Sequence, residues 1–130
     1  MALLMYGYDI GNVLHYRINE SLIVNVNTGH HVRLRKTMGN LLSYLLAHAA
    51  EGVISDDDIL LNVWDKNNLK ASGARLWQVM NKLKRILRSL DADCDLIFRV
   101  EGKGYIVLEN KLTPLWIYDK HNHVLKSVTA

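Results

Sequence analysis

Hydrophobic positions change their period twice along this chain. Val13 to Ile18, Leu22 to Val26 and Val32 to Arg35 alternate apolar with polar residues and predict three short strands. Asn19-Glu20-Ser21 and Asn27-Thr28-Gly29 supply turn residues between them, which gives a small antiparallel meander. From about Met38 the spacing becomes helical: Leu41, Leu42, Leu45, Leu46 and Ala49 form an apolar stripe, and Gly52 stands where a helix stop belongs. Val53-Ile54 reads as a brief extended piece. Ser55 then offers a hydroxyl cap, and Asp56, Asp57 and Asp58 place acids where a helix dipole favours them. That second helix carries Ile59, Leu60, Val63 and Trp64. After a polar connection, Asp65 to Gly73, a third helix runs from about Ala74 to Leu90, with Leu76, Met80, Leu83, Leu87 and Leu90 on one face. Asp91-Ala92-Asp93 ends it. Leu96 to Val100, the turn Glu101-Gly102-Lys103-Gly104 and Tyr105 to Leu108 complete the pattern as a hairpin.

The order of strands, three helices and a hairpin predicts an α+β fold. Its architecture is a winged helix-turn-helix with an N-terminal antiparallel strand platform, three helices and a C-terminal β-hairpin wing. Residues 1–109 read as this one domain. Residues 110–130 contain the only proline, Pro114, and read as a C-terminal tail or linker: an extra strand, an ordered tail and the start of a linker all remain open.

Charge sharpens the picture. Residues 66 to 88 hold Lys66, Lys70, Arg75, Lys82, Lys84, Arg85 and Arg88 and no acid, whereas the rest of the chain has nine bases against 13 Asp and Glu. The net charge of +3 therefore combines a +7 segment with a −4 remainder. One face of the third helix belongs to a core and the other is a concentrated positive surface. Such asymmetry points to a polyanionic partner, and a helix fits the DNA major groove.

Several segments then resemble the effector domain of the OmpR/PhoB response regulators and of the related ToxR-like one-component regulators. These are Val32-Arg33-Leu34, then Leu41-Leu42 with Leu45, Gly52-Val53-Ile54-Ser55, Ile59-Leu60 with Val63-Trp64, Asn81-Lys82-Leu83-Lys84-Arg85-Ile86-Leu87, and Val100-x-Gly102-x-Gly104-Tyr105. Their order matches over roughly residues 10 to 109. The resemblance implies DNA binding through the third helix and the wing, and contact of the 65–73 loop with RNA polymerase or DNA. It further implies two copies bound head to tail on direct repeats. Glu101 departs from the basic residue common in the family's wing turn, and Met38 from an acidic one early in the first helix. No segment resembles a receiver domain, so aspartyl phosphorylation within this chain is not expected.

Gln78, Asn81, Lys82, Arg85 and Ser89 fall on the outer face of the third helix, flanked by Trp77, Lys84 and Arg88. A carboxamide pairs with both the N6 donor and the N7 acceptor of adenine, which suits Asn81 and Gln78, while Arg85 or Lys82 suits guanine or phosphate. The expected DNA-binding set is Lys66, Lys70, Arg75, Trp77, Gln78, Asn81, Lys82, Lys84, Arg85, Arg88, Arg99 and Lys103. Most of these should position the duplex rather than read it, and the plain alternative for the whole face is a solvated helix surface. Trp77 packs against sugar or a thymine methyl, or else covers the loop before the helix; packing is favoured. Trp64 sits on the apolar stripe and reads as core.

Other chemistry has little support. His30-His31 and His121-x-His123, even with Cys94, match no closed zinc pattern, so no metal and no cofactor is expected. Gly102-x-Gly104 is too short for a phosphate loop, and no motif links Ser, His and Asp, so neither enzymatic activity nor a small-molecule substrate is expected. One cysteine, a poor signal-peptide start and no apolar run near the ~20 residues that span a bilayer suggest a soluble cytoplasmic protein. The expected function is a sequence-specific, double-stranded DNA-binding transcription regulator. The alternatives are a winged-helix protein-interaction module, which Glu101 favours, and the cytoplasmic DNA-binding domain of a membrane-anchored ToxR-like regulator.

Overall fold

The computed structural model describes residues 2–118 and the backbone of 124–126. Four strands open the chain: β1 (Leu3–Ile10), β2 (Leu14–Arg17), β3 (Leu22–Asn25) and β4 (His31–Arg33). The last three correspond to the predicted meander. Next come helix α1 (Lys36–Ala47), the short β5 (Ile54–Ser55) and α2 (Asp56–Ile59), which continues through a π-helical turn over Leu60–Trp64 and a 3-10 turn over Asp65–Asn67. Helix α3 (Gly73–Leu90), the wing strands β6 (Ile97–Val100) and β7 (Gly104–Val107), and finally β8 (Leu112–Tyr118) and β9 (Val124–Lys126) complete the order. The architecture is the α+β winged helix-turn-helix that the pattern predicts.

Three strands, β1, β8 and β9, lie outside those read from the sequence. β1 pairs antiparallel with β2 and, from Leu3 opposite Tyr118 to Ile10 opposite Leu112, with β8. The platform is thus a six-stranded sheet in the order β4-β3-β2-β1-β8-β9. Gly7, Tyr8, Asp9 and Ile10 are all buried, so this stretch of β1 is covered on both faces and shows no alternation. β8 is half-buried almost throughout and contains Pro114, a residue that argues against a strand interior, yet Pro114 stands opposite Tyr8 in register. Within 110–130, the described residues include the strands β8 and β9.

The platform's inner face presents Tyr8, Ile10, Leu14, Tyr16 and Ile23 to Leu41, Leu42 and Leu45 of α1 and to Leu76, Met80, Leu83 and Leu87 of α3, in one continuous core. Polar bonds set the seating. Tyr16 donates its hydroxyl to the Gly39 carbonyl at 3.0 Å and lies 2.8 Å from Ser43 Oγ, tying β2 to α1. Asn25, 7% exposed, donates Nδ2 to the Leu90 carbonyl at 2.8 Å, and its Oδ1 accepts the backbone N–H groups of Asn27 and Thr28. The turn after β3 thereby holds the last residue of α3. The second sheet runs β5-β7-β6. A Cβ on Gly104 would meet the Ile54 carbonyl oxygen at 1.9 Å, so only glycine lets β5 close on the wing.

Leu83 is fully buried, and Leu83→Ala should cost about 2–5 kcal/mol of unfolding free energy through the cavity it leaves. Trp77→Ala, at a 58% exposed position, should stay within about 0.5 kcal/mol. Urea denaturation of both variants checks the rotation of α3: comparable losses would mean that the helix is turned differently.

Candidate nucleic-acid interface

Helix α3 starts at Gly73 with Ser72 as its cap, whose Oγ accepts the Arg75 N–H at 3.2 Å. Its buried residues are Leu76, Val79, Met80, Leu83, Leu87 and Leu90. With the core side fixed, the remaining positions separate into two flanks by helical geometry. Arg75, Gln78, Lys82 and Arg85 lie on one flank and line a cleft of about 720 Å³. Trp77, Asn81, Lys84 and Arg88 lie towards the other.

The two flanks differ electrostatically. On the cleft flank, none of Arg75, Lys82 and Arg85 has a carboxylate partner among the described residues. On the other flank, Arg88 Nη2 donates to Asp95 Oδ1 at 3.0 Å. Lys84 is half-buried over the Tyr105 ring, 5.8 Å from its centroid, and burial followed by the nearby Arg88 charge lowers its pKa. In the wing, Arg99 Nη1 donates to Asp56 Oδ1 at 2.7 Å and its guanidinium lies 4.9 Å from the same ring. That hydrogen bond is the main cause of the raised Arg99 pKa. Arg99 and Arg88 are therefore occupied within the fold. Lys103 stands exposed in the wing turn beside Glu101, with Gly102 between them at φ 73°.

Lys66 is exposed in the 3-10 turn, which lengthens the second helical segment beyond its predicted end before Asp65, and Asn68 at φ 59° stops it. Lys70 is exposed and lines the cleft with the 42% exposed Leu69. Trp77, at 58% exposure, covers little of the preceding loop, which leaves its ring open to solvent on the outer side of α3. Asn81 is half-buried, and Ser89 donates its hydroxyl to the Ile86 carbonyl at 2.6 Å rather than reaching outward. Trp64, 3% exposed, is core as expected, although one edge borders the cleft.

Sequence reasoning missed the far wall of the cleft, which is Arg35, Lys36, Thr37 and Met38 at the start of α1. No side chain caps that helix, and its first turn has no acid. The basic run Arg33, Arg35, Lys36 just ahead of the α1 stripe was the available signal. Among the described residues no group of His, Cys, Asp and Glu could hold a metal ion; His121 and His123 lie outside the described residues. Cys94 is buried, which together with nearby Asp91 pushes its thiol up to about 11.

A core-anchored helix with one basic, unpaired flank, preceded by a helical turn and followed by a wing, defines a winged-helix nucleic-acid-binding domain. The family model described as "Transcriptional regulatory protein, C terminal" matches residues 29–107, and the chain belongs to that family. It is a DNA-binding transcription regulator whose partner is double-stranded DNA, and not an enzyme. Among solved structures, the DNA-binding domain of E. coli CadC is similar with 22% identity and a TM-score of 0.66, covering 82% of this chain and 94% of that one. The C-terminal domain of the nisin resistance regulator NsrR, a lantibiotic response regulator, is similar with 26% identity and a TM-score of 0.56, covering 68% and 84%. No curated protein matches the chain. No helix among the described residues is long and apolar enough to cross a membrane.

The folded state holds the Cys94 proton more tightly than the unfolded chain does. The resulting contribution to stability is full below the thiol's ordinary value of 9.0 and is lost as pH rises towards about 11. Urea midpoints should fall over that interval by more in the wild type than in Cys94→Ala. An identical alkaline profile for both would remove the thiol as the cause.

Proposed function

We propose that this chain is a sequence-specific regulator that lays α3 in the major groove, with Asn81, Gln78 and Arg85 facing base edges. Lys70, Arg75 and Lys82 position the duplex through its phosphates, with Lys66 in the turn before α3 and Lys103 in the wing as outlying contacts. The observation that carries the reading is the unpaired basic flank of α3, held against solvent by a fully buried opposite stripe. Asn81 and Trp77 border that flank, so donors, acceptors and an apolar ring lie next to the charges that would hold the phosphates. Arg88 and Arg99, engaged by Asp95 and Asp56, serve better as braces for α3 and the wing than as phosphate ligands. Two copies arranged head to tail on direct repeats, and RNA polymerase near the 65–73 loop, complete the proposal, with the cytoplasm as its setting.

A protein partner is the second reading, and one observation favours it. Phe98 is 44% exposed opposite Ile106 in register, Val53 is 43% exposed just before β5, and Glu101 is at the tip of the same wing.

A preferred duplex is first selected from a random pool, and fluorescence anisotropy then compares it with a scrambled duplex. Asn81→Ala and Arg85→Ala should each weaken the selected duplex by about 1–3 kcal/mol and the scrambled one far less. Equal losses on both duplexes would remove the base-reading roles. A folded protein that binds neither at low salt would leave the protein-binding module as the reading.

A further inference from the structure

We infer that the cleft between the start of α1 and α3 is the main phosphate grip of this protein, with Arg35 and Lys36 as a clamp on a DNA backbone beside the groove that α3 enters. The inference rests on the proposed function and adds residues and a side to it.

Six cations line this one cleft: Arg35 and Lys36 on one wall, Lys70, Arg75, Lys82 and Arg85 on the other, and no acid among them. The two walls are about forty residues apart in sequence, so the fold rather than a local basic run gathers the charge. None of the six has a carboxylate partner among the described residues, whereas Arg17, Arg88 and Arg99 each have one. Gathering like charges costs free energy unless a counter-charge arrives, and a polyanion supplies it. Buried Trp64 and Val79 form part of the lining, so water is partly excluded and attraction to an anion is screened less than on an open surface.

The occupant follows from shared residues. Arg75, Gln78, Lys82 and Arg85 belong both to the cleft and to the outward side of α3. The B-DNA major groove is about 12 Å wide and bounded by two backbones. A duplex that receives α3 lays one of those backbones along the cleft, between the two basic walls. The opposite backbone meets the wing side, where Asp56 and Asp95 already neutralise Arg99 and Arg88 and where Glu101 is exposed. The grip is therefore one-sided.

The test is anisotropy with a labelled duplex and a scrambled control across a potassium chloride series, using the full chain. The wild type is compared with Arg35→Gln, Lys36→Gln, the double variant, the charge-keeping pair Arg35→Lys with Lys36→Arg, and Lys111→Gln as a charge loss outside the cleft. Far-UV circular dichroism confirms that each is folded. Each cleft variant should reduce the slope of log K against log salt by about 0.9, and the double variant by about twice that, equally on both duplexes. The charge-keeping pair and Lys111→Gln should retain the wild-type slope. A steep wild-type slope left unchanged by the double variant overturns this inference alone. A wild type that binds neither duplex overturns the DNA reading and this inference with it.

Discussion

Six buried side chains of α3, Leu76, Val79, Met80, Leu83, Leu87 and Leu90, hold the helix at one rotation about its own axis, and that rotation decides which charges meet solvent together. Turning the helix by a single residue position, about 100°, would bury a cation or expose a leucine. Apolar burial alone tolerates some axial sliding. The Asn25 bond to the Leu90 carbonyl removes that freedom at one end, and the Ser72 cap fixes the other. The solvent-facing basic surface of α3 is thus set from behind, by its buried contacts.

The platform and the wing act as braces for this arrangement. Tyr16 fastens α1 to the sheet through Gly39 and Ser43, so the far wall of the cleft is positioned by the same strands that receive α3. On the other side, the Arg99–Asp56 pair crosses from the wing to the start of α2, and Arg88–Asp95 joins α3 to the segment before β6. Both pairs are partly or fully exposed, so each is a weak contributor to stability. Their larger consequence is to cancel positive charge on that side.

Much of this was legible in the residues, for identifiable reasons. Alternation revealed β2 to β4 because one sheet face is core and the other more open; the Ser55–Asp58 start and the α3 stripe follow from capping and helical period. β1 and β8 were not legible: one is buried on both faces over its last four residues, and the other hides behind a proline. The basic flank of α3 could be read as a set, but its division could not. Arg88 and Arg99 differ from Arg85 only through acids brought near by folding, Asp95 from seven residues away and Asp56 from 43. Arg35 and Lys36 were overlooked because their partners across the cleft lie in a different part of the chain.

The charge division also gives the surface two unlike sides. Phosphate contacts carry no sequence information, yet they set the register and orientation in which base contacts are made. Unpaired cations on the α1 side and neutralised ones on the wing side fix which side of the domain takes up a phosphate backbone, and base contacts are left to decide which way the domain points along the duplex. The acids at Asp56, Asp95 and Glu101, which look misplaced on a DNA-binding protein, are then what makes the electrostatic footprint polar.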